Sequence, residues 1–106
     1  MNKDEYSALD GLGLAQLIQQ GEVTASQALA TAQNLLEEKN PSLNAMVLSM
    51  NTQATQAINA GLPKGPFTGV PFALKDLGMQ YEGVVTSNGS RLFRDNIATQ
   101  DSTLVQ

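Results

Sequence analysis

Residues 69–77 read GVPFALKDL, and the interpretation of the whole chain starts from this stretch. Residues 70–74 are apolar without alternation, which is typical of a β-strand buried on both faces. Proline at position 71 limits hydrogen bonding at the start of such a strand. The pattern therefore predicts a strand over about residues 70–75, with Lys75 at its end and Asp76 directly after it.

Three helices are predicted before this strand from their capping residues and apolar spacing. Asp10 is a suitable N-cap for the first helix, and Gly21 is well placed to follow its end. Thr24 and Gln27 form a capping box at the start of the second helix, and Asn51 is a suitable N-cap for the third. In chain order, the predicted helices cover about residues 11–20, 24–39 and 51–60.

The remaining elements are shorter. Asn40 and Pro41 are expected to stop the second helix, since the residue before proline is disfavoured in helical conformation. A strand is predicted at about residues 43–49. Residues 76–94 read as loop with one short strand at residues 83–86. Residues 88–90 read NGS, which fits a glycosylation acceptor, but without an export signal a turn built on Asn-Gly is the favoured interpretation.

Composition excludes several classes of function. The chain has 106 residues with no Cys and no His, and six Lys and Arg stand against ten Asp and Glu. We therefore expect no metal site, no cofactor site and no cysteine or histidine chemistry. Without a basic cluster we expect no nucleic acid or membrane partner. No secretory signal or membrane span is recognisable, which favours a cytoplasmic protein.

Lys75 is the residue best suited to take part in catalysis, and two interpretations of it stay open. In the first interpretation, the aliphatic stem of Lys75 packs against the protein while its ammonium reaches water or pairs with Asp76. Alternatively, burial favours the neutral amine, which then accepts a proton from a serine hydroxyl. A Ser-x-x-Lys arrangement is excluded because position 72 is Phe72. Ser87 and Ser90 lie across a loop from Lys75, but both are expected to bond local backbone.

The end of the sequence carries a further expectation. Asp101 has the character of an N-cap, and residues 102–105 begin a helical pattern without a stop signal. A helix of one turn has almost no stability by itself. We therefore expect these 106 residues to be the front part of a longer sequence.

The motifs together resemble the amidase signature family. The resemblance is carried by residues 69–77, by the segment TSNGSRLF at 86–93, and by GEVTA at 21–25, NPSLNAMV at 40–47 and DSTLV at 101–105. These segments occur in the order of that family's N-terminal portion. The resemblance implies an α/β fold, a mixed β-sheet covered by helices, of which residues 1–106 form an incomplete N-terminal fragment of a single domain.

The resemblance also implies an activity. Such enzymes hydrolyse a carboxamide C–N bond through an acyl-enzyme, using a serine, a bridging serine held by a cis peptide bond, and a lysine. Lys75 matches the lysine of the motif, whereas the Gly/Ser-rich segment that supplies both serines is not found here. The expected partners are a small amide substrate and the rest of the amidase domain. Without the nucleophile and the oxyanion donors we expect the fragment alone to be inactive.

Two other functions are kept as alternatives. One is the glutaminase component of a tRNA-dependent amidotransferase, which implies partner subunits. The other is a stand-alone interaction domain in which Lys75 does no chemistry. The unfinished helical pattern at Asp101 weighs against the second alternative, and cooperative unfolding of a compact monomer would favour it.

Overall fold

A computed structural model describes residues 1–106, and all of its regular structure is helical. Four α-helices and one 3₁₀ helix follow one another along the chain. They are α1 Lys3–Ala8, α2 Gly11–Gln19, α3 Ala25–Leu43, α4 Asn51–Ala60 and the 3₁₀ helix Arg91–Phe93. The predicted α/β fold with a mixed β-sheet is therefore wrong for this chain, because the structure contains no strand.

Three strands were predicted, at residues 43–49, 70–75 and 83–86, and none of them is formed. Residues 44–50 connect α3 to α4 as coil, and residues 70–75 are coil as well. A strand needs a neighbouring strand for its backbone hydrogen bonds, and only one isolated antiparallel bridge, Val85 with Ile97, exists in the chain. Phe72, at the centre of the apolar stretch, is 82% exposed instead of buried.

Side-chain caps define where the first helices begin. Asp10 accepts a hydrogen bond from the Gly13 amide at 2.7 Å, and the reciprocal capping box of Thr24 and Gln27 is formed, as both were predicted. α1 was not predicted, although Asn2 and Glu5 form a second capping box at its start. α4 begins without the predicted cap, since Asn51 is its first helical residue.

Helix α3 runs past the predicted stop at Asn40 and Pro41 and ends at Leu43. The Asn40 side chain stabilises this end, accepting hydrogen bonds from the amides of Ala45 and Met46, both at 2.9 Å. Asn44 follows in the left-handed conformation at φ 50° and donates its amide to the Asn40 carbonyl at 2.7 Å. The Asn40 side-chain bonds satisfy two amides that follow the helix, while Pro41 has no amide with which to donate to the carbonyl four residues before it.

The chain divides into two compact units, Met1–Pro71 and Phe72–Gln106. In the first unit, α1 and α4 each contact α3. Its core consists of Leu14, Val23 and Ala28, and partly buried apolar side chains pack around these three. This unit holds most of the apolar burial that stabilises the structure.

The second unit has little regular structure and is held by backbone hydrogen bonds. The amide of Thr86 donates to the Asn96 carbonyl and the amide of Ala98 donates to the Val84 carbonyl, each at 3.0 Å. The predicted helix start at Asp101 is not formed: its carboxylate instead accepts the Glu82 amide at 2.7 Å. Many large apolar side chains of this unit are exposed, among them Phe72, Leu77, Leu92, Ile97 and Leu104.

None of the helices has both the length and the apolar character needed to span a membrane.

Candidate functional site

Lys75 lies in the second unit, on coil directly before the turn formed by residues 76–78. Its side chain is exposed, and its backbone amide donates to the Met79 sulfur at 3.4 Å. The two ion pairs of the chain are Lys3 with Glu38 and Arg94 with Asp95, so the Lys75 amine pairs with no carboxylate. The amine is therefore free to contact a group from outside these residues.

The carboxylate of Asp76 bonds to Ser87 and not to the neighbouring lysine. One oxygen, Oδ1, accepts the backbone amide of Ser87 at 2.7 Å, and the other, Oδ2, accepts a short hydrogen bond from the Ser87 hydroxyl. Both groups are partly buried. The pairing of Lys75 with Asp76 that one interpretation of the sequence predicted is therefore not formed.

These bonds change the acidity of Asp76. The hydroxyl bond from Ser87 is the largest influence and holds the pKa of Asp76 below its ordinary value near 3.8. Backbone amides of residues 87–89 lower this pKa further, while partial burial opposes them. Donors that favour the charged form have this effect on any carboxyl group. Asp76 is consequently an anion over the whole neutral range.

A tight turn at residues 87–90 presents Ser87 to Asp76. Asn88 and Gly89 both have positive φ, 52° and 68°, and the Ser90 amide donates to the Ser87 carbonyl at 3.0 Å. Two central residues at positive φ characterise the type I′ turn that Asn-Gly favours. The Asn-Gly turn predicted from the sequence is confirmed. Its Asn88 side chain also accepts the Gly78 amide at 3.2 Å, which joins the two turns a second time.

Neither of the two loop serines, Ser87 and Ser90, is hydrogen-bonded to the Lys75 amine in this structure. Ser90 caps the 3₁₀ helix by accepting the Leu92 amide at 3.2 Å, the local backbone role expected of it. The Ser87 hydroxyl accepts the Gly89 amide at 3.3 Å and donates to Asp76. Because a hydroxyl has a single hydrogen, Ser87 has none left to give to an amine.

The bond between Asp76 and Ser87 is the feature that sequence reasoning missed. The Asn-Gly pair indicates a turn, and a turn places the preceding residue, Ser87, at its first position. Nothing in the sequence, however, indicates which side chain this serine reaches eleven residues back along the chain. The sequence thus indicated the turn, but not the carboxylate to which Ser87 is bonded.

The arrangement as a whole offers one free amine beside a fixed anion. An amine acts as a proton acceptor in its neutral form, which removal from water favours. These 106 residues leave Lys75 exposed and bring no serine hydroxyl to it. Ser87 and Ser90 are hydrogen-bonded elsewhere and do not pair with the Lys75 amine.

Comparison with known proteins gives the family. The amidase family profile matches residues 27–106, which is most of the chain. The chain is 33% identical over 103 residues to the lipoamidase of Enterococcus faecalis, covering 96% of this chain and 14% of that protein. No solved structure matches the chain. The chain belongs to the amidase family.

Other relatives differ in what their names describe. One subunit of the glutamyl-tRNA(Gln) amidotransferase of Lachnospira eligens is 32% identical over 109 residues, covering 96% of this chain and 22% of that relative. The acylamidase of Rhodococcus erythropolis is 38% identical over 73 residues, covering 62% of this chain and 15% of that enzyme. The chain thus spans between 14% and 22% of the length of these relatives.

Proposed function

We propose that this chain supplies the lysine of the Ser–cis-Ser–Lys triad of an amidase that hydrolyses the C–N bond of a small carboxamide. The observation that carries the proposal is the freedom of the Lys75 amine. Its one adjacent carboxylate, Asp76, is bonded to Ser87, and the Lys75 amine forms no ion pair. The family membership of residues 27–106 supports an amide as the substrate.

In the proposed reaction the neutral Lys75 amine accepts a proton from the bridging serine, which in turn accepts one from the nucleophilic serine. The nucleophile bonds to the carboxamide carbon, and the C–N bond breaks when the lysine ammonium returns its proton to the leaving nitrogen through the same hydroxyl. Water then hydrolyses the acyl-enzyme. Both serines, the oxyanion donors and the surface that buries Lys75 come from outside these 106 residues.

The experiment that tests this function uses the protein as its source organism produces it. Its intact mass is expected to exceed 11.2 kDa several-fold, and it is expected to hydrolyse simple carboxamides. Lys75→Ala should lower kcat by about 10²- to 10⁴-fold, the usual contribution of a general base. The matched control is Lys64→Ala, which removes another exposed lysine, from the Pro/Gly-rich loop, and should leave kcat unchanged.

Two results would contradict the proposal. One is a Lys75→Ala protein that keeps the parent kcat. The other is amide hydrolysis by the 106-residue chain alone, which we expect not to occur because the oxyanion donors are absent. Turnover by this chain that disappears in Lys75→Ala would show that it holds a complete site.

A second candidate function is the glutaminase component of a tRNA-dependent amidotransferase. It is favoured by the match to the amidotransferase of Lachnospira eligens, which extends over 96% of this chain. This candidate requires partner subunits and glutamine as the amide. Copurification of further subunits together with hydrolysis of glutamine in preference to simple carboxamides would select it, and activity of an isolated single chain on simple amides would exclude it.

A further inference from the structure

The bond between Asp76 and Ser87 has a geometry that a single hydrogen bond does not provide. Two donors of one residue, the amide and the hydroxyl of Ser87, reach the two different oxygens of the carboxylate. A carboxylate held at one oxygen can still rotate, whereas two simultaneous bonds fix both its place and the direction of its plane. The Asp76 backbone, and with it the adjacent Lys75, is held by these bonds.

We propose that Asp76, held by Ser87, is a positioning residue that fixes the Lys75 backbone for proton transfer. This inference rests on the proposed function of Lys75. Asp76 contacts neither the substrate nor the reacting atoms in this role. It acts through the peptide that joins it to Lys75.

Further bonds support the same anchoring. The amide of Gly78 donates to the Asn88 side chain at 3.2 Å, so the turn at residues 76–78 is joined to the turn at 87–90 at two separate places. The amide of Lys75 itself donates to the Met79 sulfur at 3.4 Å. The backbone around Lys75 is therefore constrained, while its Nζ is left without a partner.

Such anchoring matters because the lysine side chain is long and flexible. Four rotatable bonds separate the backbone from the amine, and their entropy is lost when the amine is placed against a hydroxyl. A mobile backbone would have additional conformational entropy, which would also be lost when the amine is placed. A misplacement of about 1 Å can cost roughly 10²-fold in rate when the reacting groups must meet in one geometry. Anchoring should therefore affect kcat more than substrate binding.

The test compares two variants with two matched controls in the protein as its source organism produces it. Asp76→Asn replaces one carboxylate oxygen with an amide nitrogen that cannot accept the Ser87 hydroxyl, and Ser87→Ala removes the hydroxyl itself. Asp101→Asn alters another loop carboxylate that accepts one backbone amide, from Glu82. Ser90→Ala removes a hydroxyl that caps the 3₁₀ helix. The readouts are kcat, KM and the melting temperature.

We expect Asp76→Asn and Ser87→Ala each to lower kcat about tenfold with KM changed less than about twofold, since misplacement affects the transition state selectively. The double variant should be no slower than Asp76→Asn alone, because both substitutions break the same bond. The two controls should keep the parent kcat even where their melting temperatures fall.

The outcomes separate this inference from the function on which it rests. If Lys75→Ala is inactive while Asp76→Asn and Ser87→Ala keep the parent kcat, the positioning role is overturned and the proposed function stands. If Asp101→Asn loses as much activity as Asp76→Asn, the effect is loss of folding and the positioning role is likewise overturned. If Lys75→Ala keeps full activity, the proposed function itself is overturned.

Discussion

A β-carbon at Gly69 would lie 3.1 Å from the Cβ of Ala25, the first residue of α3. The same added carbon would be 3.1 Å from the Cγ2 of Ile18 on α2. Gly69 also has φ +85°, which side-chain-bearing residues rarely adopt. The loop after α4 can therefore approach α2 and α3 closely only because position 69 has no side chain.

Gly69→Ala should destabilise the first unit by about 1 to 3 kcal/mol, through backbone strain and overpacking together. Two control variants separate these causes. Gly61→Ala introduces strain alone, because φ is +96° but nothing lies within 4 Å, and Gly65→Ala introduces neither. Urea unfolding monitored by circular dichroism measures all three, and equal midpoints for Gly69→Ala and Gly65→Ala would contradict the close approach.

Thr24→Ala should cost about 1 kcal/mol of stability, because it removes the N-cap of the longest helix. The Thr24 side chain accepts the Gln27 amide at 3.1 Å, and the Thr24 amide donates to the Gln27 side-chain oxygen at 2.9 Å. The control is Ser26→Ala, an exposed hydroxyl at the second position of the same helix. The free energy of unfolding in urea should fall for Thr24→Ala only, since alanine at position 26 has the higher helix propensity, and an equal fall for Ser26→Ala would show that loss of the N-cap is not the cause.

Stability of the second unit should depend on pH through Asp76. The pKa of Asp76 is lower in the folded chain than its ordinary value near 3.8, because Ser87 donates to its charged form. A carboxyl group with a lowered folded pKa contributes stability above the unfolded pKa, and that stability is lost as pH falls through the folded pKa. We expect the loss to begin below about pH 4.

The measurement is a carbon NMR titration of the Asp76 carboxyl together with urea midpoints from pH 6 to the acid limit. Asp76→Asn should remove this part of the pH dependence, while Asp95→Asn, whose carboxylate is exposed beside Arg94, should retain it. A titration of Asp76 at or above its ordinary value would refute the bond to Ser87.

Exposed apolar side chains should make the isolated 106-residue chain associate. Phe72 is 82% and Leu92 is 83% exposed, and both lie in the unit with the smaller core. Phe72→Ser and Leu92→Ser should each reduce association in sedimentation velocity and change the free energy of unfolding by less than about 0.5 kcal/mol. Val84→Ala, at a position only 8% exposed, should instead lower stability without improving solubility.

The helix starts were predictable because their hydrogen bonds join residues close in sequence. The caps at Asp10 and Thr24 each reach an amide three residues ahead, so the sequence contains both partners. The end of α3 was harder to predict. Pro41 indicates a stop, but the Asn40 side chain bonds to the amides of Ala45 and Met46 and lets the helix continue to Leu43.

The strands were not predictable from local pattern because a strand is defined by its neighbour. Residues 70–74 have the apolar character of a buried strand, yet no segment of this chain pairs with them, and Phe72 is left in water. The bond between Asp76 and Ser87 was not predictable for a related reason, since it joins residues eleven positions apart through their side chains. Lys75 was singled out by its place in a motif, and its role stays a prediction.

The turn of Asn88 and Gly89 has a consequence for the chemical durability of the chain. Asparagine before glycine deamidates when the glycine nitrogen attacks the side-chain carbonyl, which demands freedom of both groups. Here the Gly89 amide donates to the Ser87 hydroxyl at 3.3 Å, and the side-chain oxygen of Asn88 accepts the Gly78 amide at 3.2 Å. These two bonds should therefore slow deamidation at this site, and Ser87→Ala should accumulate deamidated Asn88 faster than Ser90→Ala on prolonged incubation.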